Sequence, residues 1–403
     1  YKLEGAGTFA FAGNAVDGLD DTDGDGLGEV IVGAWGYAST GVVYRVPGGS
    51  LASGTLGAYD NIAGETAGDA FGYALSGCGD LDGDGAGDFA AGALDAASGA
   101  GAAYLFLAGN AGTVASDADA LAYGSTTDDA LGAAVACGGD TDGDGAGELL
   151  VAAPGARGVY RYDADFTALA KYSGGSTGVG SAIDLAPDTD GDGLGDLLVG
   201  DSQLDEVYLL LGGGGTAVEL SAADAVYDAE FVGDQAGRAV AGLGDVNGDG
   251  LGDFAVGAPE SDSPSSAAGA VYVLLGNTTP TGGNLGLADV VLRGEDALDR
   301  AGYTVAGGRD SNGDGITDLL VGAYYDERGG VGAGAAYLLY GGSLASGSLS
   351  AAGALLYGET TGDGASEGLA FAPDLDGDGI GEVLVGAPAE SSAGGGAGAV
   401  YRI

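Results

Sequence analysis

The chain has no histidine, no methionine, one tryptophan, two cysteines and only eleven basic residues among 403. Without histidine it can assemble neither a Ser-His-Asp nor a Cys-His nucleophile, nor a zinc site of the usual type. Eleven cations cannot build a basic face, so nucleic acid is excluded as a partner, and anionic membrane with it. No apolar stretch approaches the roughly 20 residues that cross a bilayer as a helix, so no direct membrane insertion is expected. No charged-then-apolar leader opens the chain, and there is no Met even as a start residue. The chain is therefore expected to be part of a longer product whose export signal or anchor lies outside it.

What is present is repetitive. Glycine contributes 88 residues, yet 45% of the chain is hydrophobic and short apolar runs such as VIVGA and LLVGA recur from end to end. Such a chain can bury a core, and its uniform composition favours one repetitive unit over several domains. Seven copies of one nonapeptide set the repeat: DTDGDGLGE from Asp21, DLDGDGAGD from Asp80, DTDGDGAGE from Asp140, DTDGDGLGD from Asp188, DVNGDGLGD from Asp245, DSNGDGITD from Asp310 and DLDGDGIGE from Asp374.

Around each loop the same elements return. A short alternating segment precedes it (YALSG from Tyr73, RAVAG from Arg238), and an apolar run follows (FAVGAP from Phe254, VLVGAP from Val383). A third segment carries one tyrosine per repeat, at Tyr44, Tyr104, Tyr160, Tyr208, Tyr272, Tyr337 and Tyr401, and a fourth ends near Gly, as at Gly294 and Gly358. Runs of β-branched, aromatic and aliphatic residues between Gly-rich turns read as strands, and four strands make a propeller blade. The expected fold is all-β: a seven-bladed β-propeller of four antiparallel strands per blade. The blades are approximately 9–64, 70–124, 130–174, 178–233, 236–294, 300–358 and 364–403, the last completed by residues 1–5. The first segment, YKLEG, resembles the fourth strand that the last repeat lacks, so it is expected to close the ring and leave no long open edge.

The chemistry sits in the nonapeptides. Positions 1, 3, 5 and 9 carry Asp, Asn or Glu, position 6 is always Gly, and position 7 is apolar and offers only its carbonyl. The candidate ligands are Asp21, Asp23, Asp25, Leu27 and Glu29 in loop one; Asp80, Asp82, Asp84, Ala86 and Asp88 in loop two; and Asp140, Asp142, Asp144, Ala146 and Glu148 in loop three. They continue with Asp188, Asp190, Asp192, Leu194 and Asp196 in loop four; Asp245, Asn247, Asp249, Leu251 and Asp253 in loop five; Asp310, Asn312, Asp314, Ile316 and Asp318 in loop six; and Asp374, Asp376, Asp378, Ile380 and Glu382 in loop seven. This is a hard-oxygen set of the kind calcium accepts, so about seven Ca²⁺ sites are expected, with Mg²⁺ or Mn²⁺ possible at some. An EF-hand would need Glu at position 12, where this chain has Val32, Ala91, Val151, Val199, Val256, Val321 and Val385.

The alternative is an acidic turn without metal, since Asp and Gly favour turns anyway. Electrostatics argues against it: two carboxylates about 4 to 5 Å apart repel by roughly 3 to 4 kcal/mol at an effective dielectric near 20. The loops hold 26 of the 60 acidic residues, and seven divalent ions would change the formal charge of −49 only to −35. The remaining acidity reads as a surface kept soluble at high salt, or as the ordinary acidity of a secreted module.

These repeats resemble the FG-GAP repeats of integrin α-subunit propellers. The FG half stands at Phe71-Gly72, with Gly13, Gly132, Gly180, Gly237 and Gly302 each eight residues before its loop. The GAP half is intact at Gly257-Ala258-Pro259 and Gly386-Ala387-Pro388. Trp35, Leu94, Ser202 and Tyr324 depart from that Pro, Ser366 departs from the Gly, and Glu29, Glu148 and Glu382 stand where Asp is usual. The resemblance implies cation loops on one face of the disc and ligand contacts on the other.

Trp35, Tyr37, Tyr324 and Tyr325 follow the second strands of blades one and six, at that opposite face. They are read either as binding anchors or as plugs between blades. Cys78 and Cys137 lie in equivalent first strands, offset by one residue; they are read either as a disulfide near the central channel in an oxidising compartment or as two buried thiols, and the offset, which turns side chains to opposite faces, favours the thiols. No paired carboxylates are singled out for glycoside hydrolysis, and no catalytic residue is assigned. The expected function is a non-enzymatic, extracellular or cell-surface module that binds a protein or glycan. The alternatives are a structural spacer in a large secreted protein, and a hydrolase or lectin on the same scaffold.

Overall fold

Each apolar run between glycine turns becomes a strand. The computed structural model describes residues 1–49, 52–109, 112–213 and 217–403. In the first repeat the strands are Val16–Leu19, Glu29–Ala34, Val42–Val46 and Asp60–Ala63, paired antiparallel in that order. Six further sheets repeat the pattern, giving seven blades. Lys2–Glu4 pairs antiparallel with Ala399–Arg402, Leu3 opposite Val400, so the N-terminal segment completes the last blade as expected.

Every residue of the second strand is buried in each blade, from Glu29–Ala34 to Glu382–Ala387. Burial on both faces explains why these strands read as continuous apolar runs rather than alternating ones. The hydrophobic side chains form seven clusters, each spanning two neighbouring blades, and one of them joins blade seven to blade one. The core is therefore a closed ring of inter-blade layers, with no single centre.

The FG glycine has a steric reason. Gly72 adopts a left-handed φ of 80°, and a Cβ on Gly33 of the preceding blade would run into the Gly72 carbonyl oxygen. The two motif halves are thus the two sides of one close backbone contact between blades. Ser366 holds the corresponding place in blade seven with φ 81°, a conformation that L side chains rarely adopt.

Two features differ from the sequence expectation. Among the described residues four blades carry a fifth, short parallel segment on the outer edge: Gly54–Thr55 beside Lys2–Glu4, and likewise Ala217–Glu219, Gly283–Asn284 and Gly347–Ser348. Each is supplied by the following repeat, so one blade covers the edge of another.

The second difference is a correction: Cys78 and Cys137 are bonded as a disulfide, with Cα atoms 4.8 Å apart. The expectation of free thiols assumed strict alternation along both strands. In blade two the register shifts between Gly77 and Gly79, a bulge centred on Cys78. The extra residue restores the side-chain direction that the one-residue offset had taken away.

Candidate metal centres and the opposite face

Each acidic nonapeptide joins the first strand of a blade to the second, and all seven share one hydrogen-bond scheme. The position 1 carboxylate accepts from the N–H of position 4 and of position 6, as in Gly24 to Asp21 Oδ1 at 2.6 Å and Gly26 to Asp21 Oδ2 at 2.8 Å. The same pair recurs at Asp80, Asp140, Asp188, Asp245, Asp310 and Asp374. Position 5 accepts from the N–H of position 7, at 2.9 Å for Leu27 to Asp25. Position 9 accepts from the N–H of position 2, at 2.8 Å for Leu81 to Asp88.

The loop backbone is thereby wound around its own acidic side chains, and glycine is needed where the turn is sharpest, with Gly26 at φ 88°. Neighbouring loops are also joined: the N–H of Gly195 in loop four donates to the Asp140 carbonyl of loop three at 2.8 Å, and Gly252 to Asp188 at 2.7 Å.

This winding gathers carboxylates. Asp21, Asp23, Asp25 and Glu29 each place an oxygen within 4.8 Å of the others, as do Asp140, Asp142, Asp144 and Glu148. Three acids gather in the same way in loops two (Asp80, Asp82, Asp88), four (Asp188, Asp190, Asp196) and seven (Asp374, Asp376, Glu382). Loops five and six, with Asn247 and Asn312 at position 3, do not bring three carboxylates that close among the described residues. There the Asn247 side chain bridges to Asp249 instead, its amide donating to Oδ2 at 2.9 Å.

The electrostatics separates the positions. The N–H groups of Gly26 and Gly24 hold the Asp21 carboxyl below the usual range. Burial pushes position 9 up: Glu29, Glu148, Asp196 and Glu382 rise, and Asp253 reaches about 6. A charge there is costly without a counter-ion.

The donor set fits a hard divalent cation. Glu29 is only 4% exposed, yet its Oε1 is buried with no hydrogen-bond partner, and so is Asp142 Oδ1. A buried carboxylate oxygen facing other carboxylates with no donor calls for a cation. Such an ion would be held by the position 1, 3, 5 and 9 side chains, together with the position 7 carbonyls of Leu27, Ala86, Ala146, Leu194, Leu251, Ile316 and Ile380.

At the other end of the second strands, about 20 Å away by strand rise, lie the aromatics. Trp35 stacks on Phe11 at 5.0 Å between ring centres and meets Tyr73 edge-on at 6.2 Å. Tyr324 stacks on Tyr303 at 5.0 Å and meets Tyr325, which is exposed, edge-on. Arg238 lies over the Tyr303 ring at 4.3 Å, and Arg300 over Tyr325 at 4.6 Å. Arg238, Tyr303 and Glu367 line the mouth of the central channel. Tyr37 instead packs against the buried Tyr44 and belongs to the core between blades seven and one. The sequence reading named Trp35, Tyr324 and Tyr325 but not Phe11, Tyr73, Arg238, Arg300 or Tyr303. Tyr73, Arg238 and Tyr303 each follow the FG glycine of their blade, and Phe11 and Arg300 each stand two residues before theirs, so the repeat register was the signal that could have found them.

Known proteins can be set beside this geometry. The FG-GAP repeat family matches residues 236–274, 301–339 and 367–401, the first three strands of blades five, six and seven. Integrin alpha-PS2 of Drosophila melanogaster is 36% identical over 135 residues, covering 32% of this chain and 9% of the integrin. The match therefore spans less than a tenth of that relative. Among solved structures, a streptogramin B lyase aligns with 100% of this chain and 97% of its own at a TM-score of 0.55 and 10% identity. BBS1N, solved in complex with ARL6DN, aligns with 100% of this chain and 94% of its own at 0.52 and 10% identity. At that identity they speak to the fold alone. This chain is thus a seven-bladed β-propeller that carries three FG-GAP repeats, in blades five, six and seven, and is homologous over about a third of its length to an integrin α subunit.

Proposed function

We propose that this propeller is a calcium-stabilised, extracellular binding module of integrin-α type, recognising a protein or glycan on the face opposite the acidic loops. The observation that carries the reading is the unpartnered, buried Glu29 oxygen within a cluster of four carboxylates, in a loop design repeated seven times. Calcium supplies positive charge that cross-links carboxylates from the two ends of each loop, stiffening the connection between the first and second strands.

The ligand face is supported by the channel-mouth surface. In a chain with 11 basic residues, Arg238 and Arg300 both lie over exposed or half-buried aromatic rings there. Aromatic and arginine side chains are the usual energetic anchors of interfaces. The disulfide between Cys78 and Cys137 supports an oxidising, extracellular compartment, and the integrin homologue agrees. The excess surface acidity fits a solvated surface at high salt. No side-chain set in the described residues favours an enzyme, and the lyase likeness concerns fold only.

A protein and glycan array with calcium present tests the reading, repeated with Trp35→Ala and Tyr324→Ala. Capture that either substitution weakens at least tenfold supports the binding module. No capture at all supports the spacer, and turnover of a substrate sinks the non-enzymatic reading.

A further inference from the structure

The seven loops are not equivalent, and the difference lies outside them, in the third strand. Position 9 is Glu in loops one, three and seven and Asp in the other four. The residue after the third-strand tyrosine follows the same division: Arg45, Arg161 and Arg402 in the Glu blades, and Leu105, Leu209, Val273 and Leu338 in the Asp blades.

The structure gives this pairing a contact. Arg402 Nη2 donates to Glu382 Oε1 at 2.8 Å and to Asp376 Oδ2 at 2.9 Å, reaching positions 9 and 3 of its loop together. Arg161, 4% exposed, lies 3.8 Å from Asp142 Oδ2 at position 3 and donates to Thr141 Oγ1 at 2.8 Å. Arg45 lines one cavity with Thr22, Asp23 and Glu29.

In the Asp blades the second oxygen of position 9 is taken by a backbone amide just past the third strand. Ala108, Gly212, Gly276 and Gly341 donate to it at 2.7 to 2.9 Å. The long Glu arm of loop seven meets the guanidinium instead.

The net charge of each loop follows. Loops one, three and seven carry four carboxylates less one guanidinium. Loops five and six lose one carboxylate, because position 3 is Asn247 or Asn312. Both devices remove charge at position 3. By sequence only loops two and four keep four carboxylates with no arginine beside them, although Asp84 and Asp192 stand outside the three-acid clusters that the structure gathers there.

We propose that the loops form two affinity classes: loops two and four take a divalent cation most tightly, and Arg45, Arg161 and Arg402 act as built-in cations that weaken binding in loops one, three and seven. The proposal rests on the loops being cation sites, as above. Ligand charge count is the main lever on calcium affinity in oxygen-lined loops. A +2 ion and a guanidinium about 6 Å apart, even at the dielectric of water, repel enough to change a dissociation constant roughly tenfold.

The test is a calorimetric calcium titration of the intact chain after chelator removal. The wild type should show two equivalents at least about tenfold tighter than the rest. Arg402→Leu, which copies the leucine of blades two, four and six, should raise the tight class to three, while Arg402→Lys should leave it at two. Asp82→Asn, which copies an asparagine that loops five and six already accept, should lower it to one. Should Arg402→Leu fail to fold by circular dichroism, the Asp82→Asn count decides. Seven equal sites, or a tight class that stays at two in both Arg402→Leu and Asp82→Asn, overturns this proposal alone. A chain that binds no calcium overturns the reading beneath it.

Discussion

Stripping calcium should lower the melting temperature by an amount the loops let one calculate. In five loops, at least three carboxylate oxygens lie within 4.8 Å of one another. Each pair at that distance repels by about 3.5 kcal/mol at an effective dielectric near 20. A bound ion removes this repulsion, and at 100-fold excess over its dissociation constant each site stabilises the fold by about 2.7 kcal/mol. For 403 residues, at about 2.1 cal/mol/K per residue, the unfolding entropy is roughly 0.85 kcal/mol/K. Filling only loops two and four is therefore worth about 6 °C, and filling all seven about 22 °C. The assay is differential scanning calorimetry in calcium and in chelator at matched ionic strength, since salt alone screens exposed carboxylates. A shift below about 2 °C would refute the structural role of the ions, because no site could then exceed its dissociation constant usefully.

Other perturbations test other parts. Burial pushes the Asp184 carboxyl up to about 7 and that of Asp17 to about 6, although each accepts two backbone N–H groups. A raised carboxyl favours the fold while protonated, so its contribution is full below the unfolded value near 4 and is lost as pH rises through 7. In chelator, Asp184→Asn should therefore flatten the fall in melting temperature between pH 5 and 8 by about 2 °C, allowing for residual solvent in the channel; an unchanged slope would contradict this. Reducing the Cys78–Cys137 bond, which spans 59 residues, should cost about 4 kcal/mol on the loop-entropy account, or about 5 °C by calorimetry with and without reductant. Ser366→Gly relieves a left-handed serine and removes a buried hydroxyl without a partner. It should raise the melting temperature by about 1 °C, whereas Gly72→Ala should lower it by more than that.

The loops and blades were legible because their physics is local and periodic. A nonapeptide can place carboxylates at positions 1, 3, 5 and 9 only by spelling them in order, and a blade can repeat only by repeating its strand pattern. The inter-blade glycine contact was visible as FG and GAP for the same reason. What escaped was set by register and closure. The bulge at Cys78 reverses a side chain without changing composition, so alternation alone argued for the wrong thiol state. The parallel edge segments such as Gly54–Thr55 are two exposed residues whose partner, Lys2–Glu4, lies in another blade. Arg238 lies over Tyr303 one repeat further on, both directly after the FG glycine of their blade; the letters carried that shared position, but the contact needed the packing of neighbouring blades. The arginine beside each Glu-bearing loop was present in the letters, but its meaning needed the contact between Arg402 and Glu382.

The most direct test of the central claim is a long-wavelength anomalous difference map from crystals grown in calcium. The account predicts peaks enclosed by the position 1, 3, 5 and 9 side chains, strongest in the loops beginning at Asp80 and Asp188, with none at the Trp35 and Tyr324 face. A well-ordered map in millimolar calcium that shows no peak in any of the seven loops would contradict it.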